Sequence, residues 1–214
     1  INNLQTTVEA SKSLINSTQQ TVNAVSNSFS SDVVTMQSTN QELQSLLSKL
    51  KELNNAMDTT KMVETVDKLV KLTDSLNKII DNNLKALEKI NSVIPNNKIG
   101  NLINKLNTAK DLVSKEREQL VALKTALSNN ESKENIANAI ESVSTISTET
   151  SSALINVSNT FYNDGAPALN TIGNSLKGGL DTANSVLETT KVVVPQLNAL
   201  TTFGIASSDV ASQQ

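Results

Sequence analysis

INNLQTTVEASKSLINSTQQTVNAVSNSFSSDVVTMQSTNQELQSLLSKLKELNNAM, residues 1–57, decides the fold. Counted in sevens from Ile1, it puts Ile1, Val8, Ile15, Val22, Phe29, Met36, Leu43, Leu50 and Met57 at a positions, all apolar. The paired d positions, Leu4, Ser11, Thr18, Val25, Asp32, Thr39, Leu46 and Leu53, are mixed. Neither proline nor glycine interrupts the run. A seven-residue repeat held this long lays one narrow apolar seam along a helix, and such a seam requires partner helices. At about 1.5 Å per residue the rod measures roughly 85 Å, so the rest of the chain must supply what lies against it. Asp32 reads as a registry device, as a ligand in a polar layer, or as the mark of a wet, loosely packed layer. Thr18 and Thr39 in the same frame favour the last.

Downstream, Asp58-Thr59-Thr60 breaks the frame and offers N-cap side chains. A second helix over 62–94 carries Val66, Leu69, Thr73, Leu76, Ile80, Asn83, Leu87, Ile90 and Ile94, and Pro95-Asn96-Asn97 ends it. The third, over 98–128, has Ile99, Leu102, Ile103, Leu106, Leu112, Val113, Leu120, Leu123 and Leu127 apolar. Asn129-Asn130-Glu131-Ser132 is the next turn, with Ser132 placed to cap the fourth helix. That helix shows Ile136, Ile140, Val143, Leu154, Val157 and Phe161 on one side. It reaches Asn163-Asp164-Gly165-Ala166-Pro167, read as a hinge or kink. Beyond it, an amphipathic segment carries Leu169, Ile172, Leu176, Leu180, Ala183, Leu187, Val194 and Leu197.

The expected fold class is all-α, an elongated antiparallel helical bundle with a four-helix head and a two-helix coiled-coil stalk. Three helices of roughly 45 Å joined by short turns match the second half of the opening rod, giving the head over 29–164. Residues 1–28 and 165–214 are left to pair as the stalk, with both chain ends at its foot. Gly165, Gly173, Gly178 and Gly179 lie at the hinge and in the returning helix, either letting two helices approach closely or loosening the chain locally.

Composition agrees with thin bundles. The 214 residues are 37% hydrophobic, too little for a wide globular core but enough for one stripe per helix. The sequence has no cysteine, so neither disulfides nor thiol chemistry enter. It opens at Ile1 without initiator methionine or signal peptide and is read as a piece of a larger protein. It contains no run of 18 apolar residues of the kind that crosses a membrane. Residues 49–133 hold 15 of the 18 basic groups and 11 of the 21 acidic ones, a balance of +4, against −2 before and −5 after. Because acids are interleaved with the basic groups and aromatics are scarce, this is a salt-bridged helical surface and no nucleic-acid patch.

Chemistry is sparse. The absence of histidine removes imidazole bases, histidine metal ligands and the Glu-x-x-His pattern of di-iron bundles. Glu116 and Glu118 stand two apart on the third helix and do not face one site together. Gly178-Gly179 precedes no phosphate-loop signature. No catalytic residue, metal ligand or cofactor is expected.

The return segment, Ala168-Leu169-Asn170 through Leu176-Lys177-Gly178-Gly179-Leu180, then Ala183-Asn184-Ser185-Val186-Leu187 and Val194-Pro195-Gln196-Leu197-Asn198, resembles the extracellular helical domain of the phage infection protein (YhgE/Pip) family. That family is itself similar to the EsaA membrane component of type VII secretion. The resemblance is strongest over 165–200 and rests elsewhere on repeat style. It implies a helical ectodomain inserted between membrane segments, on the surface of a bacterial cell. The Asn-rich, Lys-rich composition suits a low-GC Gram-positive organism. It further implies a spacer or adhesion role, with use as a phage receptor and service in secretion or in an ABC-2-like membrane protein. Asp58, Thr59, Thr60, Asn129, Asn130 and Glu131 would then form the distal tip, where a phage or another protein binds. A ligand-sensing ectodomain like that of chemoreceptors is the alternative, and a pore-forming helical toxin a third class that Val192-Val193-Val194 is too short to serve. A stalk with such narrow seams is expected to form a parallel homodimer.

Overall fold

The computed structural model describes the backbone of residues 2–201 and the side chains of residues 2–189. Among the described residues the chain is helical, with no strand. Helix α1 spans Asn2–Asn55, α2 Thr59–Val93, α3 Asn97–Ser128, α4 Lys133–Thr160 and α5 Ala166–Thr201, and a π-helical turn, Phe161–Gly165, joins α4 to α5. Two compact units result: one formed by the chain's two ends, up to Ala24 and from Leu169, the other by Val25–Ala168.

The larger unit packs four helices against one another, and its boundaries follow from local chemistry. Asp58 caps α2 by accepting from Lys61 N, Asn96 caps α3 by accepting from Lys98 N and Ile99 N, and Ser132 caps α4 by accepting from Asn135 N. Each side-chain oxygen satisfies amides that the first helical turn leaves without partners. Before Pro95, Ile94 takes an extended conformation, as the residue preceding proline must, and α2 stops there. Ion pairs fix the register from outside: Asp67–Lys124, Asp74–Arg117 and Asp81–Lys110 lock α2 against α3, while Lys51–Glu141 ties α1 to α4. Both pairs of helices run antiparallel. These exposed pairs contribute little stability each. The core is apolar and set by the seams. In α2, Val66, Leu69, Thr73, Leu76, Ile80, Asn83, Leu87 and Ile90 are all buried at the spacing read from sequence. In α3, Ile103 and Leu112 flank the seam half-buried, and Ala109, Glu116 and Ala126 lie in it instead.

Helix α1 corrects the heptad frame. Phe29, Met36, Leu43 and Leu50 are buried as expected, but beyond Phe29 the second row is Val33, Asn40, Leu47 and Asn54, one residue past the expected d positions. Asp32, Thr39, Leu46 and Leu53 are only half-buried. The buried row runs Val22, Val25, Phe29, Val33, Met36, so two steps of four fall together at Phe29. This is a stutter, which lets the seam keep facing its partners where strict sevens would drift. Asp32 is no loose layer: it accepts a hydrogen bond from Asn83 Nδ2 at 3.0 Å, across from α1 to α2. Met57, an expected a position, is 74% exposed, because the helix has already ended.

At 163–167, where a hinge or kink is expected, the helix runs on through one widened turn, in which Ala166 N donates to Phe161 O. Pro167 has no N–H to give and its ring would crowd the carbonyl four residues back; a π turn accommodates both. Gly165 keeps this turn close to α3: a Cβ would stand 2.9 Å from Leu102 Cδ2, and that buried side chain would have to shift.

In the unit of the two chain ends, α1 and α5 run antiparallel. A Cβ on Gly179 would sit 3.4 Å from Ile15 Cδ1, and one on Gly173 would sit 3.7 Å from Val22 Cγ1. Gly178 faces open space. Thr18, Val22, Leu169, Ile172, Leu176 and Ala183 are buried, whereas Leu4, Val8, Ile15, Leu180 and Leu187 are half-buried, since two helices can cover only one narrow stripe. The side chains of Ile1, Val194 and Leu197 lie outside the described residues.

Candidate functional site

The six turn residues expected to bind a partner fall at one end of the Val25–Ala168 unit. Asn54 Nδ2, in the last turn of α1, donates to Lys133 O at the start of α4 at 3.0 Å, which holds the α1–α2 and α3–α4 turns side by side. Thr59, Thr60, Asn129, Asn130 and Glu131 are exposed, and Asp58 is half-buried, its carboxylate accepting from Lys61 N. Both helices end in the same motif. Asp58 N donates to Leu53 O and Met57 N to Asn54 O in one turn, Glu131 N to Ala126 O and Asn130 N to Leu127 O in the other. This bonding needs a left-handed residue, usually glycine, just past the helix. Asn130 tolerates φ of 54°; Met57 adopts the same φ with a full side chain and nothing covering it. Replacing Met57 with glycine is therefore expected to raise stability by about 1 kcal/mol, read from urea denaturation midpoints.

A second constellation lies in the interior of the same unit. Glu116 occupies the α3 seam between Val113 and Leu120 and is 0% exposed. Asn40 of α1, Thr73 of α2 and Ser147 and Thr150 of α4 are buried too. The ion pair Asp74–Arg117 brings Thr73 and Asn77 to the level of Glu116, and Asn40 Nδ2 donates to Ser147 O at 3.3 Å. Thus each of the four helices puts a polar side chain into the interior within about one helical turn of Glu116. Several of their oxygens have no protein hydrogen-bond partner: Asn40 Oδ1, Asn77 Oδ1, both Glu116 oxygens and Ser147 Oγ. Thr150 stands against Glu116; its hydroxyl donates to Ile146 O at 2.9 Å and, turned to the carboxyl, favours the charged form.

Burial pushes the Glu116 carboxyl up to about 7, because the charged form would lose its hydration, a loss that the Thr150 hydroxyl offsets only in part. The charged side chains of the four helices at this level, Glu42 on α1, Lys71, Asp74 and Lys78 on α2, Lys115 and Arg117 on α3 and Glu149 on α4, are all exposed. None is a buried counter-charge.

Two features hide this layer in the sequence. Glu118 draws Glu116 into a surface pair and away from its seam neighbours at three and four residues, and strict sevens along α1 point to Thr39 in place of Asn40. Following the Val113, Glu116, Leu120 spacing finds it.

At the opposite end of the unit from the candidate tip, an open notch of about 470 Å³ at the α2–α3 turn is lined by Asn91, Pro95, Asn96, Asn101 and Asn104 among others. Asn91 Oδ1 and Asn96 Oδ1 already accept backbone amides that form the turn. Among the described residues no cluster of three or more metal-ligating side chains occurs, and no helix is long and apolar enough to cross a membrane.

These features define an all-helical bundle with an exposed turn end and a polar interior layer. No protein-family model, curated protein or solved structure matches the chain.

Proposed function

We propose that the chain is the extracellular, membrane-anchored helical spacer or adhesion domain of a bacterial surface protein. In this reading the unit of the two chain ends is a stalk whose foot leads into membrane segments. The Val25–Ala168 bundle is then the head, with Asp58, Thr59, Thr60, Asn129, Asn130 and Glu131 at its partner-binding tip. One observation carries it: the two ends of the chain pair antiparallel in a single unit, Ile15 against Gly179 and Val22 against Gly173, which is how an insertion between two membrane helices must close. The exposed, strained Met57 at the turn end adds an apolar contact that the fold itself does not need. The half-buried Leu4, Val8 and Ile15 leave a strip for a second copy, so a homodimer belongs to the proposal.

The test uses the full-length protein on cells. Exchanging both turns for glycine-serine linkers, with the stalk kept, is expected to abolish attachment of the partner, a phage in the receptor version. Undiminished adsorption to cells that display the altered protein sinks that version, and a monomer at high concentration in sedimentation sinks the dimer. The polar interior favours one second reading, a ligand-sensing ectodomain; saturable heat of binding to small metabolites in calorimetry would choose it over the spacer.

A further inference from the structure

Asn40 touches Ser147, and Thr150 lies against Glu116. Ser147 and Thr150 stand one turn apart on the same buried face of α4, so groups from α1 and α3 converge on one strip of that helix. We infer that Glu116, Asn40 and Ser147, with Asn77 at the same level, form an internal site for one small monovalent cation such as Na⁺ or K⁺. The inference concerns the Val25–Ala168 unit alone and does not depend on the surface role proposed above.

The donor chemistry selects the ligand. Carboxylate and amide oxygens carry lone pairs and no hydrogens, so they cannot satisfy one another. Ser147 Oγ can donate to only one of them. A cation can accept lone pairs from several such oxygens together, and hard oxygen donors of this kind suit hard ions. One carboxylate balances one positive charge; Ca²⁺ sites draw on several carboxylates and Mg²⁺ keeps waters around itself. The buried counter-charge that Glu116 lacks among the described side chains is the one this ion supplies. The proton is its competitor. With Glu116 pushed up to about 7, the neutral form excludes the ion in acid and the ionised form recruits it in mild alkali.

Thermal melts of the whole chain test this at about pH 8.5 in sodium, potassium and choline chloride of equal ionic strength, with choline too large for the interior. The expected result is a Tm about 5 °C higher in at least one alkali salt than in choline, the shift that saturation well above Kd produces for a chain of this size. The difference is expected to vanish at about pH 5, where Glu116 is neutral, and in Glu116→Gln at both pH values. Ser147→Ala should shrink it. Equal Tm values for the unaltered chain in all three salts at about pH 8.5 overturn the site, as does a salt difference that Glu116→Gln retains. The first of these arms needs no variant, so a misfolded substitution cannot leave the inference undecided.

Discussion

In choline buffer the unfolding free energy of the chain, taken relative to that of Glu116→Gln, is expected to fall by about 3 kcal/mol as pH rises from about 4.5 to about 7. In the unfolded chain Glu116 titrates at the ordinary glutamate value of 4.5, and in the fold at about 7. Between those values the folded state holds a proton that the unfolded state has released. Raising pH therefore favours unfolding with a slope approaching 1.4 kcal/mol per unit, until the folded carboxyl itself ionises. Below 4.5 the group is neutral in both states and the penalty is gone. The ordinary carboxylates of the surface act the other way, since pairing with lysine or arginine stabilises their charged forms, so the quantity to measure is the difference between the two proteins. Urea denaturation across the pH range yields it. At about pH 8 Glu116→Gln should be the more stable protein, and Glu116→Leu, which restores an apolar seam, more stable still. A constant difference across that range would mean that Glu116 titrates in the fold as it does in the unfolded chain, with a solvation the geometry does not contain.

Why was the bundle readable from sequence while its polar layer was not? Helix ends depend on single residues acting locally: Asp58, Asn96, Ser132 and Pro95 work through bonds to atoms within a few residues. Seams in α2 and α4 depend on spacing alone, and each kept one frame along its length. Helix α1 did not, because its partners impose the stutter at Phe29. A shift of one residue in the frame exchanged Asp32 for Val33 and Thr39 for Asn40, which turns a polar interior position into an unremarkable flank. Glu116 presents a different obstacle. Charged residues are almost never fully buried, so a lone glutamate in a lysine-rich helix reads as surface until its seam neighbours Val113 and Leu120 are followed. The π turn was likewise hidden: Gly165 and Pro167 announce a disturbance, but only the approach of Leu102 and the stacking of Phe161 decide that the helix continues through it.

Phe29→Ala is expected to destabilise the Val25–Ala168 bundle by about 3–5 kcal/mol, the larger effect of the two in acid. Phe29 is 0% exposed and stacks on Phe161, with ring centroids 4.3 Å apart and planes 17° from parallel. Phe161 in turn meets Tyr162 edge-on at 5.3 Å. The ring fills the place where the α1 seam changes frame and where α4 widens into its π turn, so two local departures from regular helix are packed against each other. Truncation leaves a cavity that neither irregular segment can close by sliding, because each is pinned on both sides by regular seam. Phe161→Ala should cost a similar amount. The double variant should recover about 1 kcal/mol relative to the sum, the share that belongs to the aromatic pair itself. Strict additivity in that cycle would remove the stack from the account and leave burial alone. The two predictions also constrain each other. Phe29 sits near one end of the bundle and Glu116 near its middle, with no shared partner, so their effects should add. At about pH 8 in choline buffer the Phe29→Ala protein carries both losses, a large fraction of the 5–15 kcal/mol that holds a typical domain folded. Adding Glu116→Gln should restore much of its stability there and leave it unchanged at about pH 4.5, a pH-selective rescue that a general stabilising effect of glutamine at this seam would not produce.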